Sequence, residues 1–392
     1  MIPIQLTLKN FLSYREAALD FRGLHTACIC GPNGAGKSSL LEAITWAVWG
    51  CCRSDSEDEI IHMGEIDVRV DFTFSTGDQI YRVIRNRRRG QSGSLEFQVA
   101  TNPPFPPLSK GGPEEVNYSL GKGTPEEVNS SPPLSKGGLG GVLDYRGQET
   151  QPLSPPLSKG GLGGVIHHLR SHRCLIILDD VQTIFSSQQL AGNYQPGYEN
   201  YGPFFKQIAE SSHNSCLILL SWEKPREIAA LESQNKNCQT LQLNGLGEAA
   251  REIFTKKGLA ESEKWSELIE LYQGNPLWLN IVAAGIQDLF SGKISDFLSY
   301  DSLVLGDLEY LLHQHFQRLS ETEKQVLCWL ANQNKPVEIS KKPALLELSP
   351  SEFLKAVESL RRRLLIEKVQ KGDRTLFQLQ PAIAEYIKER IK

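Results

Sequence analysis

GPNGAGKSS, residues 31–39, is the stretch on which the reading of this chain turns. From Gly31 to Ser38 it fits the spacing G-x-x-x-x-G-K-[ST]. The apolar run HTACIC precedes it and predicts a short buried strand. SSLLEAITWAVWG follows, with apolar side chains at Leu40, Leu41, Ile44, Val48 and Trp49 and a closing Gly50, which predicts a helix. Strand, glycine loop, Lys-Ser and helix in that order predict a loop that cradles a polyphosphate. Glycines let backbone N–H groups turn toward phosphate oxygens. The Lys37 ammonium brings positive charge to the outer phosphates, and the Ser38 hydroxyl is a ligand for Mg²⁺. The helix adds the positive end of its dipole. The expected ligands are ATP or ADP with Mg²⁺. The expected nucleotide contacts are Gly31, Asn33, Gly34, Ala35, Gly36, Lys37, Ser38 and Ser39.

Such a loop hydrolyses nothing alone. It needs a carboxylate at the end of a neighbouring strand to hold the metal, and a second group to orient water. RCLIILDD at 173–180 offers four apolar residues and then Asp179 and Asp180. Asp179 is expected to hold Mg²⁺ with Ser38, and Asp179 and Asp180 form the candidate catalytic pair. Whether the nucleotide is turned over stays open at this level.

Composition narrows the class. The chain has 392 residues, 40% of them hydrophobic and 22% charged, which suits roughly two to three soluble domains. A net charge of −4 supplies no general field for nucleic acid, so any such contact must be local. The eight cysteines form no CxxC pair, and several sit in apolar runs, as expected of thiols in a reducing compartment. The opening MIPIQLTLKNFLSY lacks a secretory pattern, and no apolar run reaches the length of a membrane span. A cytoplasmic protein without membrane partners is expected.

Along the chain, residues 1–100 read as an α/β or α+β unit of alternating strands around the loop and helix. Residues 101–165 carry PPLSKGG three times, at 106–112, 132–138 and 155–161, and PEEVN twice. This tract is rich in Pro, Gly and Ser and reads as a disordered linker. Residues 166–247 read as buried strands (CLIILDD, SCLILLSW, TLQLNGL) with helices between them. Residues 248–303 read as a helical subdomain, and residues 304–392 as helices followed by a hairpin turning at Gly372-Asp373, the order of a winged helix. The fold class is therefore α/β with a P-loop NTPase-type sheet, followed by a helical bundle and a winged-helix domain.

LTLKNFLSY, then DFRGLHTACICGPNGAGKSSLLEAITWAVWG, MGEIDVRVDFTF and YRVIRNRRRG, make residues 1–100 resemble the N-terminal lobe of the SbcC-type, SMC-like DNA-repair ATPases. The resemblance implies ATP sandwiched between two heads, hence self-association through nucleotide, and a role in double-strand-break processing. That family's Q-loop glutamine, coiled coil, signature motif and Walker B strand do not follow residue 100. HLRSHRCLIILDDVQTIF, YENYGPFFKQIAESSHNSCLILLSWEKPREIAALE and YQGNPLWLNIVAAGIQDLF make residues 167–392 resemble the second half of a bacterial NB-ARC, STAND-class signalling ATPase. That resemblance implies Asp179 as the metal aspartate and Pro276 facing the adenine. It departs where an arginine is usual and Trp222 stands, and where a His-Asp pair is usual and Gln380-Pro381 stands.

Two arrangements stay open. The strand HTACIC, with its loop and helix, could fill a slot between SCLILLS and TLQLNGL, giving one composite sheet in which Asp179 approaches Ser38. Alternatively the halves form separate bodies. Three functions follow: an ATP-binding, ATPase-type protein related to SbcC, a STAND-type nucleotide switch, or a non-catalytic fusion.

Smaller features add partners. Arg82, Arg85, Arg87, Arg88 and Arg89 form a basic run that could meet DNA phosphates or simply protect a strand edge. Arg361, Arg362 and Arg363 lie on the helix that would read DNA in a DNA-binding winged helix. His167, His168, His172, His313 and His315 lack metal-ligand spacing and read as ordinary polar positions.

Overall fold

A computed structural model describes residues 1–53, 56–101, 121–122, 161–234, 237–300, 302–333, 335–340 and 342–391. Most of the repeat tract, and with it the expected disorder of that linker, lies outside the described residues.

The first lobe is built on strands β1 (Ile2–Phe11), β2 (Tyr14–Asp20) and β3 (Thr26–Cys30), helix α1 (Lys37–Trp49), and strands β4 (Asp67–Thr76), β5 (Gln79–Arg88) and β6 (Ser94–Thr101). A two-residue β7 (Gly121–Lys122) pairs with β6, so one short piece of the expected linker joins the sheet. The antiparallel order is β2-β1-β4-β5-β6-β7. β4 alternates outward and buried residues along most of its length, the period of a strand with one covered face.

Next come α2 (Gly161–Ser171), β8 (Leu175–Leu178), α3 (Tyr201–Glu210), β9 (Cys216–Ser221), α4 (Arg226–Leu231) and β10 (Cys238–Gln242). α2 starts at Gly161, inside the span read as linker. The second sheet is parallel, in the order β10-β3-β9-β8. β3 thus enters it from the first lobe. Its Cys28 pairs with Leu219 of β9 on one side and Thr240 of β10 on the other. Every residue of β3 and β9 is buried, as expected of central parallel strands covered on both faces. β8 and β10 are half-buried edges rather than the buried strands their apolar runs suggest.

β3 feeds two cores because successive side chains point to opposite faces. Ala27 and Ile29 join a core shared with Leu40, Ala43 and Ile44 of α1, Leu6, Leu8 and Phe72 of the antiparallel sheet, and Ile218 and Leu220 of β9. Cys28 and Cys30 join a core with Ile166, Leu169, Phe205, Leu217 and Leu219. The first lobe and the later strands therefore bury their apolar faces against each other.

A helical region follows: α5 (Arg251–Lys257), α6 (Trp265–Leu271), α7 (Pro276–Phe290), α8 (Ile294–Leu298), α9 (Asp307–Gln317), α10 (Glu321–Ala331) and α11 (Pro350–Arg362). The hairpin β11 (Ile366–Lys371) and β12 (Arg374–Leu379) and helix α12 (Pro381–Ile391) end it. These helices and the hairpin share one core. Their starts are locally encoded. Ser320 with Glu323, and Ser349 with Glu352, form capping boxes. Asn275 caps α7 ahead of Pro276 at the first helical position.

The helical region is locked to the parallel sheet by a buried ion cluster. Arg363 Nη1 lies 2.6 Å from Glu223 Oε2, and its Nε 2.9 Å from Glu323 Oε1; all three side chains are fully buried. Arg363 Nη2 also donates to the Gln189 carbonyl at 2.7 Å. Burial pushes the Glu223 carboxyl upward, opposed chiefly by the Arg363 charge. Arg363 is thus consumed within the fold, which removes it from the DNA-reading surface considered for Arg361 to Arg363.

Candidate nucleotide site

The loop between β3 and α1 forms because Gly34 and Gly36 hold positive φ, at 81° and 94°. Gly36 precedes α1 directly, so the first helical N–H groups face the loop. No side chain fits at either glycine. A Cβ on Gly36 would stand 2.7 Å from Ser13 Oγ, and one on Gly34 would stand 2.1 Å from Leu277 Cβ. Tyr14 donates from its hydroxyl to the Gly36 carbonyl at 3.1 Å, and Ser13 and Ser39 hydroxyls lie 3.2 Å apart. Gly31 and Ala35 are buried beneath the loop.

Lys37 is buried, and its Nζ donates to the carbonyls of Gly31 at 2.8 Å and Pro32 at 3.1 Å. Burial lowers its pKa, while the charges of Asp180, Cys30 and Asp179 act the other way, with Asp180 the strongest of the three. Asp179 follows β8 across the sheet. Ser38 Oγ donates to Asp179 Oδ2 at 3.4 Å. Two hard oxygens from opposite halves of the chain thus meet, a donor set that suits Mg²⁺. Asp180 is exposed, in a left-handed conformation at φ 54°, and its Oδ1 accepts from Gln182 Nε2 at 2.9 Å.

The helical region closes over the loop. Asn275 Nδ2 donates to the Asn33 carbonyl at 3.1 Å. Its Oδ1 accepts from the backbone of Leu277 and Trp278, at 3.0 and 3.2 Å. Pro276 therefore sits between a residue that touches the loop and Leu277, which packs on Gly34. His315 Nε2 lies 3.5 Å from Asn33 Nδ2, and the ring packs edge-on against Trp222 with centroids 4.4 Å apart. Its Nδ1 is closed off from solvent without a partner among the described residues. Burial, helped by Lys37, Arg318 and Arg363, pushes the His315 pKa down to about 4. His315 is a loop neighbour, not the ordinary polar position its sequence context suggests. Among the described residues no three His, Cys, Asp or Glu side chains cluster as a metal site.

Arg53 has no mark in the sequence. It follows α1, and its Nη2 lies 3.4 Å from Asp179 Oδ2 and its Nε 3.3 Å from Glu42 Oε1. Burial raises the Glu42 carboxyl, and Arg53 opposes that rise.

The basic run on β5 is largely neutralised within the lobe. Arg82 pairs with Asp71 at 2.5 Å, and Arg87 with Asp58 at 2.8 Å and with Glu57. Arg85 donates to the Ala47 carbonyl at 3.3 Å and lies over the Trp46 ring. Arg88 and Arg89 are exposed. No described helix is long and apolar enough to cross a membrane.

The family model described as an AAA domain matches residues 5–135. The SbcC component of the SbcCD nuclease of Deinococcus radiodurans is 42% identical over 96 residues, 24% of this chain and 11% of that protein. A DNA double-strand break repair Rad50 ATPase of Thermoplasma volcanium is 32% identical over 120 residues, 30% of this chain and 13% of that protein. A WD repeat-containing protein of Nostoc sp. is 41% identical over 234 residues, 58% of this chain and 18% of that protein. The chain thus spans under a fifth of each of these relatives. Among solved structures, the SMC head domain from Thermotoga maritima matches 27% of this chain and 39% of that chain at 24% identity, with a TM-score of 0.21. The N-terminal segment thus matches an AAA-domain model and is similar in sequence to SbcC and Rad50 ATPases over about a quarter to a third of the chain.

Proposed function

We propose that the chain binds Mg-ATP in a composite site, with the phosphate loop supplied by residues 31–38 and the metal carboxylate by Asp179. The observation that carries this is the Ser38–Asp179 contact at 3.4 Å, made possible by β3 lying between β9 and β10. The backbone N–H groups of the loop and of the first turn of α1 bind the phosphates. Lys37 leaves the Gly31 and Pro32 carbonyls for the outer phosphates. Ser38 and Asp179 would hold Mg²⁺, which would supply positive charge to offset the phosphates. Pro276 closes the nucleoside end. Asp180, exposed and near Lys37, would orient a water for hydrolysis.

Calorimetric titration of the full chain with MgATP tests this. Lys37→Ala and Asp179→Ala should each weaken binding at least tenfold, about 1.4 kcal/mol or more. ATP affinity independent of Asp179 would sink the composite site. Phosphate release measured on the same proteins, with and without duplex DNA, reports turnover. A DNA role like that named for the SbcC and Rad50 relatives would now rest on Arg88 and Arg89.

A second reading, a nucleotide-linked switch of the STAND type with α9 to α12 and the hairpin as its winged helix, is favoured by the Asn275–Asn33 and Leu277–Gly34 contacts. They couple the loop directly to the helical region. ATP-driven self-association without DNA, read by light scattering, is its signature.

A further inference from the structure

Two groups converge on one carboxylate oxygen. Ser38 Oγ and Arg53 Nη2 each lie 3.4 Å from Asp179 Oδ2. Arg53 Nε is also 3.3 Å from Glu42 Oε1. The placement is built by the chain path. α1 closes on Gly50 in a left-handed turn at φ 74°, and the segment after it brings Arg53 back to Glu42, near the middle of the helix.

Resting on the nucleotide-site reading above, we propose that Arg53 reads the terminal phosphate of the bound nucleotide. Before nucleotide arrives, its guanidinium holds the oxygen that the cation needs. When the cation takes Asp179, the guanidinium is released and pairs with the γ-phosphate.

Several physical points support this. The Arg53 side chain is 60% exposed, so its ion pair with Asp179 is weak and is broken at little cost. A divalent cation on Oδ2 then repels a guanidinium at contact distance. The anion then available to it would be the bound phosphate chain, and the planar fork of an arginine matches phosphate oxygens. Glu42 keeps Nε in the neighbourhood during the exchange. Lys37, held on the loop carbonyls, serves phosphate oxygens that ADP keeps in part, so it separates the two nucleotides less. ADP lacks the phosphate that Arg53 would meet, so the residue should favour the triphosphate, and only when the metal has displaced it.

The test is calorimetric titration of the full chain and its Arg53→Gln and Arg53→Lys variants with ATP and with ADP, in Mg²⁺ and in EDTA. In Mg²⁺, Arg53→Gln should lose about tenfold in ATP affinity and less than about twofold in ADP affinity. Arg53→Lys should recover part of the loss. In EDTA, where the guanidinium stays on Asp179, the ATP-to-ADP ratio should be the same for all three proteins. Equal losses for both nucleotides, or no loss for ATP in Mg²⁺, would overturn the assignment to Arg53 while leaving the site intact. A folded wild type that binds neither nucleotide overturns the nucleotide site itself, and the role of Arg53 with it.

Discussion

His315 shows how one side chain can tie the distant helical region to the loop. Its folded-state pKa of about 4 lies below the value near 6.5 of an exposed histidine. Between those values the unfolded chain takes up a proton that the folded chain refuses. The stability this group permits is therefore present above about pH 6.5 and is lost as the pH falls toward 4. The residue as a whole is half-buried, so the effect is modest. Between neutral pH and pH 4.5, wild type should lose on the order of 1–2 kcal/mol more than His315→Gln in urea unfolding. Parallel pH profiles for the two proteins would rule it out. The sequence marks Lys37, Ser38 and Asp179 by type and spacing, and the structure brings all three to one place. It gives no mark for His315 or Arg53. Each acts through a contact to a residue far away in the chain, and a lone histidine or arginine has no local pattern.

At the scale of elements, the junction of the loop with α7 is the tightest in the site. A Cβ on Gly34 would overlap Leu277 Cβ at 2.1 Å, and φ of 81° strains any other residue. Gly34→Ala should cost at least about 2 kcal/mol of stability, from left-handed strain and overpacking together. It should also weaken ATP binding, and Leu277→Ala in the same chain should restore part of both. No stability change in thermal melts would show that loop and helix are further apart than described. The helices are readable because caps and periodicity are local: Ser320, Ser349 and Asn275 announce their starts. The start of α2 at Gly161 is not, since glycine-rich sequence argues against a helix and only burial of Ile166 and Leu169 against β9 residues favours one. The exposure of β8 and β10 is hidden in the same way. An apolar run predicts burial but does not tell a central strand from an edge.

At the scale of the whole molecule, a shared apolar core holds the two halves, and a buried ion cluster holds the helical region to the parallel sheet. Arg363 answers both Glu223 and Glu323, so Arg363→Met would strand the Glu323 carboxylate and leave Glu223 with only Arg318, 3.9 Å away. A destabilisation of about 3–5 kcal/mol is expected in urea unfolding, because removing one partner of a buried pair strands the other. A loss below about 1 kcal/mol would mean the cluster is wetter than described. The sheet order carries one more consequence, for biosynthesis. The central strand Thr26–Cys30 leaves the ribosome first, and its two neighbours, Cys216–Ser221 and Cys238–Gln242, are made much later. At ordinary elongation rates the nascent chain must keep that strand unpaired for roughly ten to forty seconds. Throughout that interval both of its ladder edges are open to other chains. The yield of native protein should therefore depend on chaperone capacity and translation speed more than on the final stability of the fold.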